Sequence, residues 1–248
     1  MSDPRSPDSP RIARRLAALA DVPLNFDPAT LRDSPPASGW EVIDICQRLP
    51  DERPGPPVDS GSWVIARRLM QGYEFADPSI VRAYYDPDVP LERRDMLLKL
   101  QALGLMHLFV GVRVGAVYEE TRQLDGRCAQ VWGWNYRTLA GHVEMGQMDW
   151  EVWKWLHDGR VEFRVHAVSR PASIPNPLVR LGFHLLRRRE RRAFLDSTRD
   201  RMRRFTQLGL EREGADRRVR DAAAEMTARP ARAHDPAHDA VAENIRPR

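Results

Sequence analysis

Lysine is almost missing from this chain: of 39 basic residues only Lys99 and Lys154 are lysine, a bias that, with abundant alanine and proline, fits a GC-rich genome. Cysteine is scarce too. Cys46 and Cys128 stand alone, with no CxxC spacing and no paired histidines, which excludes a disulfide framework and a zinc site of recognisable pattern. Both are expected as reduced, buried thiols. No apolar run approaches the roughly 20 residues a membrane span needs, and the opening MSDPRSPDSP has neither the basic nor the apolar region of a signal peptide. A cytoplasmic protein is therefore expected. G-x-S-x-G, H-E-x-x-H and a glycine-rich phosphate loop are all missing as well, so no catalytic residue, metal or cofactor is assigned.

What is present is 42% hydrophobic and 30% charged over 248 residues, material for one core rather than two. Residues 1–38 hold seven prolines around one short amphipathic piece, Arg11 to Ala20, and read as a disordered tail able to dock a turn or two. Residues 209–248 read as a second disordered tail. From residue 211 on, eight acidic and eight basic side chains accompany almost no large apolar residue, too little burial to offset ordering entropy. One domain over residues 39–208 lies between them.

Within it, Trp40–Leu49 and Trp63–Met70 are β-rich runs separated by the loop Pro50–Pro57. Asp77-Pro78-Ser79 and Pro90–Leu103 read as two helices, the second stopped by Gly104. Period-two alternation then predicts a strand from Leu105 to Tyr118, with glycines able to bend or bulge it. A turn at Leu124-Asp-Gly-Arg127 leads to strand Ala129–Thr138, and Asp158-Gly159 joins strands Met148–Leu156 and Val161–Ala167. A long helix follows Pro175-Asn-Pro177 to about Leu208, with Leu178, Leu181, Leu185, Phe194, Leu195, Met202 and Phe205 on its apolar stripe. The expected fold is α+β: a curved antiparallel sheet packed on a long C-terminal helix. That order is similar to the helix-grip architecture of START and Bet v 1-like proteins, in which sheet and helix enclose an apolar cavity.

The segment Asn135-Tyr-Arg-Thr-Leu-Ala-Gly-His-Val-Glu-Met-Gly-Gln147, followed by Asp158-Gly159 and Ser169-Arg-Pro171, resembles the signature of the uncharacterised protein family 0548. Tyr136, Thr138, Leu139, Gly141, His142, Gly146, Ser169, Arg170 and Pro171 match its pattern; Gln147 stands where that family usually has glutamate. The resemblance implies the domain and carries no established activity with it. Physically, Gly141 and Gly146 flank a tight excursion between strands, and Thr138, His142, Gln147, Ser169 and Arg170 form one candidate rim site. Their other reading is that these side chains satisfy turn backbone.

Two further surfaces compete. Trp132, Trp134, Tyr136 and Trp153 are candidate walls of an apolar pocket, or equally core filling; the spacing also puts Trp150 on the face opposite Trp153 and Trp155. Residues 180–204 carry ten arginines against three acids, a formal +7 beside +4 for the whole chain. Arg187, Arg188, Arg191 and Arg192 are the candidate anion-binding surface, either for an anionic membrane or as a plain solvated face. Nucleic acid is disfavoured, since no recognised stacking motif accompanies the stripe. The leading expectation is a hydrophobic small molecule held between sheet and C-terminal helix. Peripheral binding through the arginines and an enzyme at the Thr138/His142/Ser169/Arg170 rim are the alternatives.

Overall fold

The computed structural model describes residue 7 and residues 9–31, 39–102, 106–173 and 177–228. The chain divides into two compact units, Met1–Leu210 and Glu211–Arg248. Within the first, a curved antiparallel sheet is built from β1 (Glu41–Arg48), β2 (Val81–Tyr84), β3 (Asp95–Ala102), β4 (Met106–Leu124), β5 (Arg127–Thr138), β6 (Glu144–Trp155) and β7 (Val161–Pro171). Their order is β1-β7-β6-β5-β4-β3-β2, so the sheet stays open between β1 and β2. Among the described residues the α-helices are α1 (Pro10–Ala17), α2 (Ser62–Gln71) and α3 (Pro177–Ala228). This is the helix-grip arrangement expected from the order of elements. Among the described residues no helix is long and apolar enough to cross a membrane.

The inner face of the sheet packs on α2 and α3. Trp132, Trp134, Trp150, Val152, Phe163 and Val165 meet Trp63, Ala66 and Met70 of α2 and Phe194, Leu195 and Met202 of α3. The inner stripe of α3 runs on to Thr198 and Thr206, both fully buried, while Phe205 is only half-buried under Arg201. The stripe members Leu178, Leu181 and Leu185 lie outside the described side chains.

Several expectations are corrected by tertiary partners. Trp63–Met70 is helical, not extended: Glu52 accepts the backbone N–H of Trp63 at 2.8 Å and so caps α2, and Trp63, Ala66 and Met70 then share one buried side. The two helices expected between Asp77 and Leu103 are strands β2 and β3. Asp77 closes a local turn by accepting from the backbone and hydroxyl of Ser79. The helical spacing of Leu91, Leu98 and Leu103 misleads because β3 is buried on both faces, Leu98 inward and Leu97 against α1, so it lacks the alternation of a half-buried strand. The stop expected at Gly104 falls outside the described residues. In β4 the register shifts between Val114 and Ala116, so Val117 joins the inner core and Tyr118 the outer cluster. Both cysteines are exposed, not buried: Cys46 lies on the outer side of edge strand β1, whose residues alternate half-buried and exposed, and Cys128 lies at the exposed start of β5.

The N-terminal stretch is not a disordered tail over its described part. Ser9 caps α1, and Ile12 and Leu19 bury against Tyr84, Leu97 and Leu139 on the outer face. Arg113 donates to the carbonyls of Leu19 and Ala20 while pairing with Asp95. At the other end, residues 209–228, expected as tail, continue α3, consistent with their alanine, arginine and glutamate content. Residues 1–6, 8, 32–38 and 229–248 of the expected tails lie outside the described residues.

Candidate functional site

The inner face concentrates aromatic rings. Trp134 on β5 and Trp150 on β6 are register partners, and Tyr73, from the loop after α2, sits with its ring centroid 6.2 Å from each. Phe75 lies 4.5 Å and Phe163 6.1 Å from Trp150, and Phe194 of α3 completes the contact at 6.2 Å. These rings are buried, yet among the described residues the indole N–H groups of Trp134 and Trp150 have no hydrogen-bond partner, nor do the hydroxyls of Thr198 and Thr206 on α3. The Tyr73 hydroxyl faces that of Tyr136 without closing a bond of ordinary geometry, and burial pushes both phenols well above their usual range. Tyr136 itself donates to the Met148 sulfur.

Trp132, Trp134 and Tyr136 thus share a wall, as their spacing indicated. Trp153 does not belong with them: it lies on the outer face with Trp155 and Val131, because residues of β6 alternate sides and Trp150 takes the inner one. Trp150 is the member missing from the candidate wall. Its partnership with Trp134 depends on the β5–β6 register, which no local pattern reveals.

A cavity of about 440 Å³ opens on the same inner face between α2, the turn at Leu91–Arg93 and strands β4–β5. Arg67, Gln71, Leu91, Arg94, Val117 and Trp132 are among its lining residues. The Arg67 guanidinium stands between the rings of Trp63 (5.6 Å) and Trp132 (5.2 Å) and donates to Glu119 at 2.9 Å. Arg94 donates to the carbonyls of Gln71 and Val89 and stacks 4.1 Å over Tyr85.

The rim residues are brought near one another, engaged in holding the fold. Gly146 takes a positive φ, and a β-carbon there would lie 2.1 Å from the Val168 carbonyl, so the motif needs glycine. Its N–H donates to Thr138, whose hydroxyl donates to Asn25 at 2.6 Å. The Nδ1 of His142 accepts the backbone N–H of Glu144, and burial depresses its pKa to about 4. Ser169 accepts from Arg191. Arg170 reaches the Met145 sulfur and covers the ring of Trp40 at 4.8 Å. Gln147 points to the outer face, where it bridges Arg137 and Asp149.

The arginine stripe divides in two. Arg187 and Arg191 turn inward and pair with Glu41 and Glu144, clamping α3 to β1 and β6. They are therefore not part of a free anion-binding surface. Only Arg188 and Arg192 of the four face solvent, since a helical period places residues one apart on different sides.

No curated protein matches the chain. Among solved structures, the one described as "Crystal structure of Ara h 8.0201" is similar at 10% identity and a TM-score of 0.37, over 66% of this chain and 98% of that one. The profile of a family described as a domain of unknown function, DUF1990, matches residues 27–194, a span that takes in α2, the whole sheet and the start of α3. The chain belongs to this DUF1990 family.

Proposed function

We propose that this domain holds a small apolar molecule bearing hydrogen-bond acceptors against the aromatic inner face, between the sheet and α3. The observation that carries this reading is the pair of buried, unpartnered N–H groups of Trp134 and Trp150. A buried donor left unpaired costs about 1–3 kcal/mol, and a carbonyl, ether or hydroxyl oxygen of a ligand would remove that penalty. Thr198 and Thr206 offer further hydrogen-bonding capacity on the facing helix. The 440 Å³ cavity, lined from α2 and β4–β5 and reaching this aromatic face only at Trp132, falls within the size of small-molecule sites.

In this reading the Thr-Leu-Ala-Gly-His and Ser-Arg-Pro motifs form a structural signature of the family, closing the rim rather than performing chemistry. The protein works in the cytosol. Native mass spectrometry of the full chain purified from its own cytosol, set against its denatured mass, tests the proposal. A discrete extra mass, reduced in occupancy by Trp150→Phe, is expected. An ordered water would satisfy the same donors and leave no such mass; its absence at high sensitivity overturns the reading.

A further inference from the structure

We propose that the cavity between α2 and strands β4–β5 receives the singly charged anionic head of an amphipathic ligand, with Arg67 as the countercharge. This rests on the reading above, and assigns the ligand's class.

Arg67 is held for such a role. Its guanidinium carbon lies 5.6 Å from the Trp63 ring and 5.2 Å from the Trp132 ring, and one Nη donates to Glu119. Its carboxylate partner, Glu119, is 42% exposed, and Arg67 is 34% exposed. A solvent-screened pair of this kind contributes little, so a ligand carboxylate can exchange for Glu119 at small cost. The incoming pair would form against the apolar surfaces of Leu91, Val117 and Trp132, where charge is less screened. Arg94, the other guanidinium lining the cavity, is turned to backbone carbonyls and the Tyr85 ring. Arg67 is accordingly the group that meets the head.

The cavity also constrains the charge of that head. Glu92 and Glu119 both line it, so a doubly charged phosphate monoester would meet two carboxylates, whereas a carboxylate meets less repulsion and displaces one of them. Trp132 connects the head to the tail. Its ring borders the cavity, and it shares a strand face with Trp134, next to Trp150. On this proposal the apolar chain leaves the cavity past Trp132 in the direction of that wall.

Calorimetric titration of the full chain near neutral pH with decanoate and decan-1-ol, which differ only in the head, tests this. Decanoate is expected to bind roughly tenfold more tightly than the alcohol, as for one charge-assisted hydrogen-bond pair. Arg67→Gln should bring decanoate down to the alcohol's affinity and leave the alcohol unchanged. Glu119→Gln, a change at an exposed side chain that folding tolerates, should tighten decanoate about threefold by removing the competitor. Equal affinities for the two probes in the parent chain would overturn the anionic head while leaving the apolar site standing. So would an Arg67→Gln effect shared by both probes, or no gain from Glu119→Gln. Failure of both probes to bind would remove this inference together with the reading it rests on.

Discussion

On the outer face of the sheet, Trp153 donates its N–H to Glu151 at 2.6 Å, under the guanidinium groups of Arg164 at 4.1 Å and Arg122 at 5.3 Å. On the inner face, Trp134 and Trp150 are as deeply buried and donate to nothing among the described residues. Trp155, also outside, directs its N–H toward Glu162 without closing a bond of ordinary geometry. The outer rings are covered by charged side chains of the sheet itself. Glu151 alone takes Trp153, Tyr118 and Arg122. The inner rings are covered mainly by apolar side chains of α2 and α3, and the buried hydroxyls of Thr198 and Thr206 on α3 do not bond to them. On the outer face Trp153 finds its acceptor within the sheet and only Trp155 falls short of one, whereas on the inner face neither Trp134 nor Trp150 meets an acceptor among the described residues.

That difference is bounded by charge. Lys154 also points inward, fully buried, yet it is paired with Glu52 and donates to the Arg53 carbonyl at 3.0 Å. Glu52 in turn accepts from the backbone of Val58 and Trp63. The inner face tolerates an unpaired indole and not an unpaired ammonium, as the desolvation costs require. Lys154→Met should give the largest loss of stability, about 3 kcal/mol by chemical denaturation, because it strands a buried carboxylate. Adding Glu52→Gln should recover part of it. A loss below about 1 kcal/mol would show that the two backbone donors satisfy Glu52 unaided, and the line drawn between charge and dipole would fail.

The rim between the faces supplies an intermediate case, a polar group kept quiet by its protonation state. Burial holds the His142 pKa near 4, below its usual 6.5, so its neutral form accepts from Glu144. The unfolded chain binds that proton more readily between these values. The contribution is therefore fully present above pH 6.5 and is lost as pH falls toward 4, amounting to about 2–3 kcal/mol. Glu41, whose carboxyl is held below its usual 4.5 by Arg187 and Arg191 against the opposing cost of burial, loses its contribution only below that pH. Asp149, raised by burial, titrates in the opposite sense. The denaturation midpoint should fall between pH 6.5 and 4.5 in the parent chain and stay nearly flat in His142→Asn. A parent chain flat across that window would place His142 in an ordinary solvated setting.

How much of this was legible depends on the range of the interaction that decides it. The turns at Asp125-Gly126 and Asp158-Gly159 were readable because each takes positive φ at residues the sequence names, Asp125, Gly126 and Gly159. At Gly159 a β-carbon would also strike the Glu52 carbonyl at 2.0 Å. The long helix and the shared wall of Trp132, Trp134 and Tyr136 follow from local period in the same way. Trp63–Met70 did not: its branched and aromatic side chains suit a strand, and the cap from Glu52 comes from eleven residues away. A helical wheel phased on Leu195 puts Arg191 and Arg187 four and eight residues back on the inner side, apart from Arg188 and Arg192, but their acidic partners, Glu41 and Glu144, come from two distant strands and leave no local signal. The candidate wall failed at Trp150 and Trp153 for the same reason, a register fixed across β5 and β6.

The smallest effect gives the sharpest comparison, because it changes the same atoms on the two faces. Trp→Phe removes one indole N–H and part of a ring at either place. At Trp153 it also removes the bond to Glu151 and weakens the seat of two guanidinium groups. At Trp150 it removes a donor that had no partner, so the loss of packing is offset by relief of an unpaired group. In protein freed of any bound small molecule, Trp153→Phe should therefore be less stable than Trp150→Phe by about 1 kcal/mol, read from denaturation midpoints at equal slope. Repeating the pair on protein that retains its copurifying mass should reverse the ranking, since only Trp150 then loses an acceptor supplied by the ligand. Equal costs in both states would mean that the inner donors are met by solvent, and that the two faces differ in what covers them but not in what they lack.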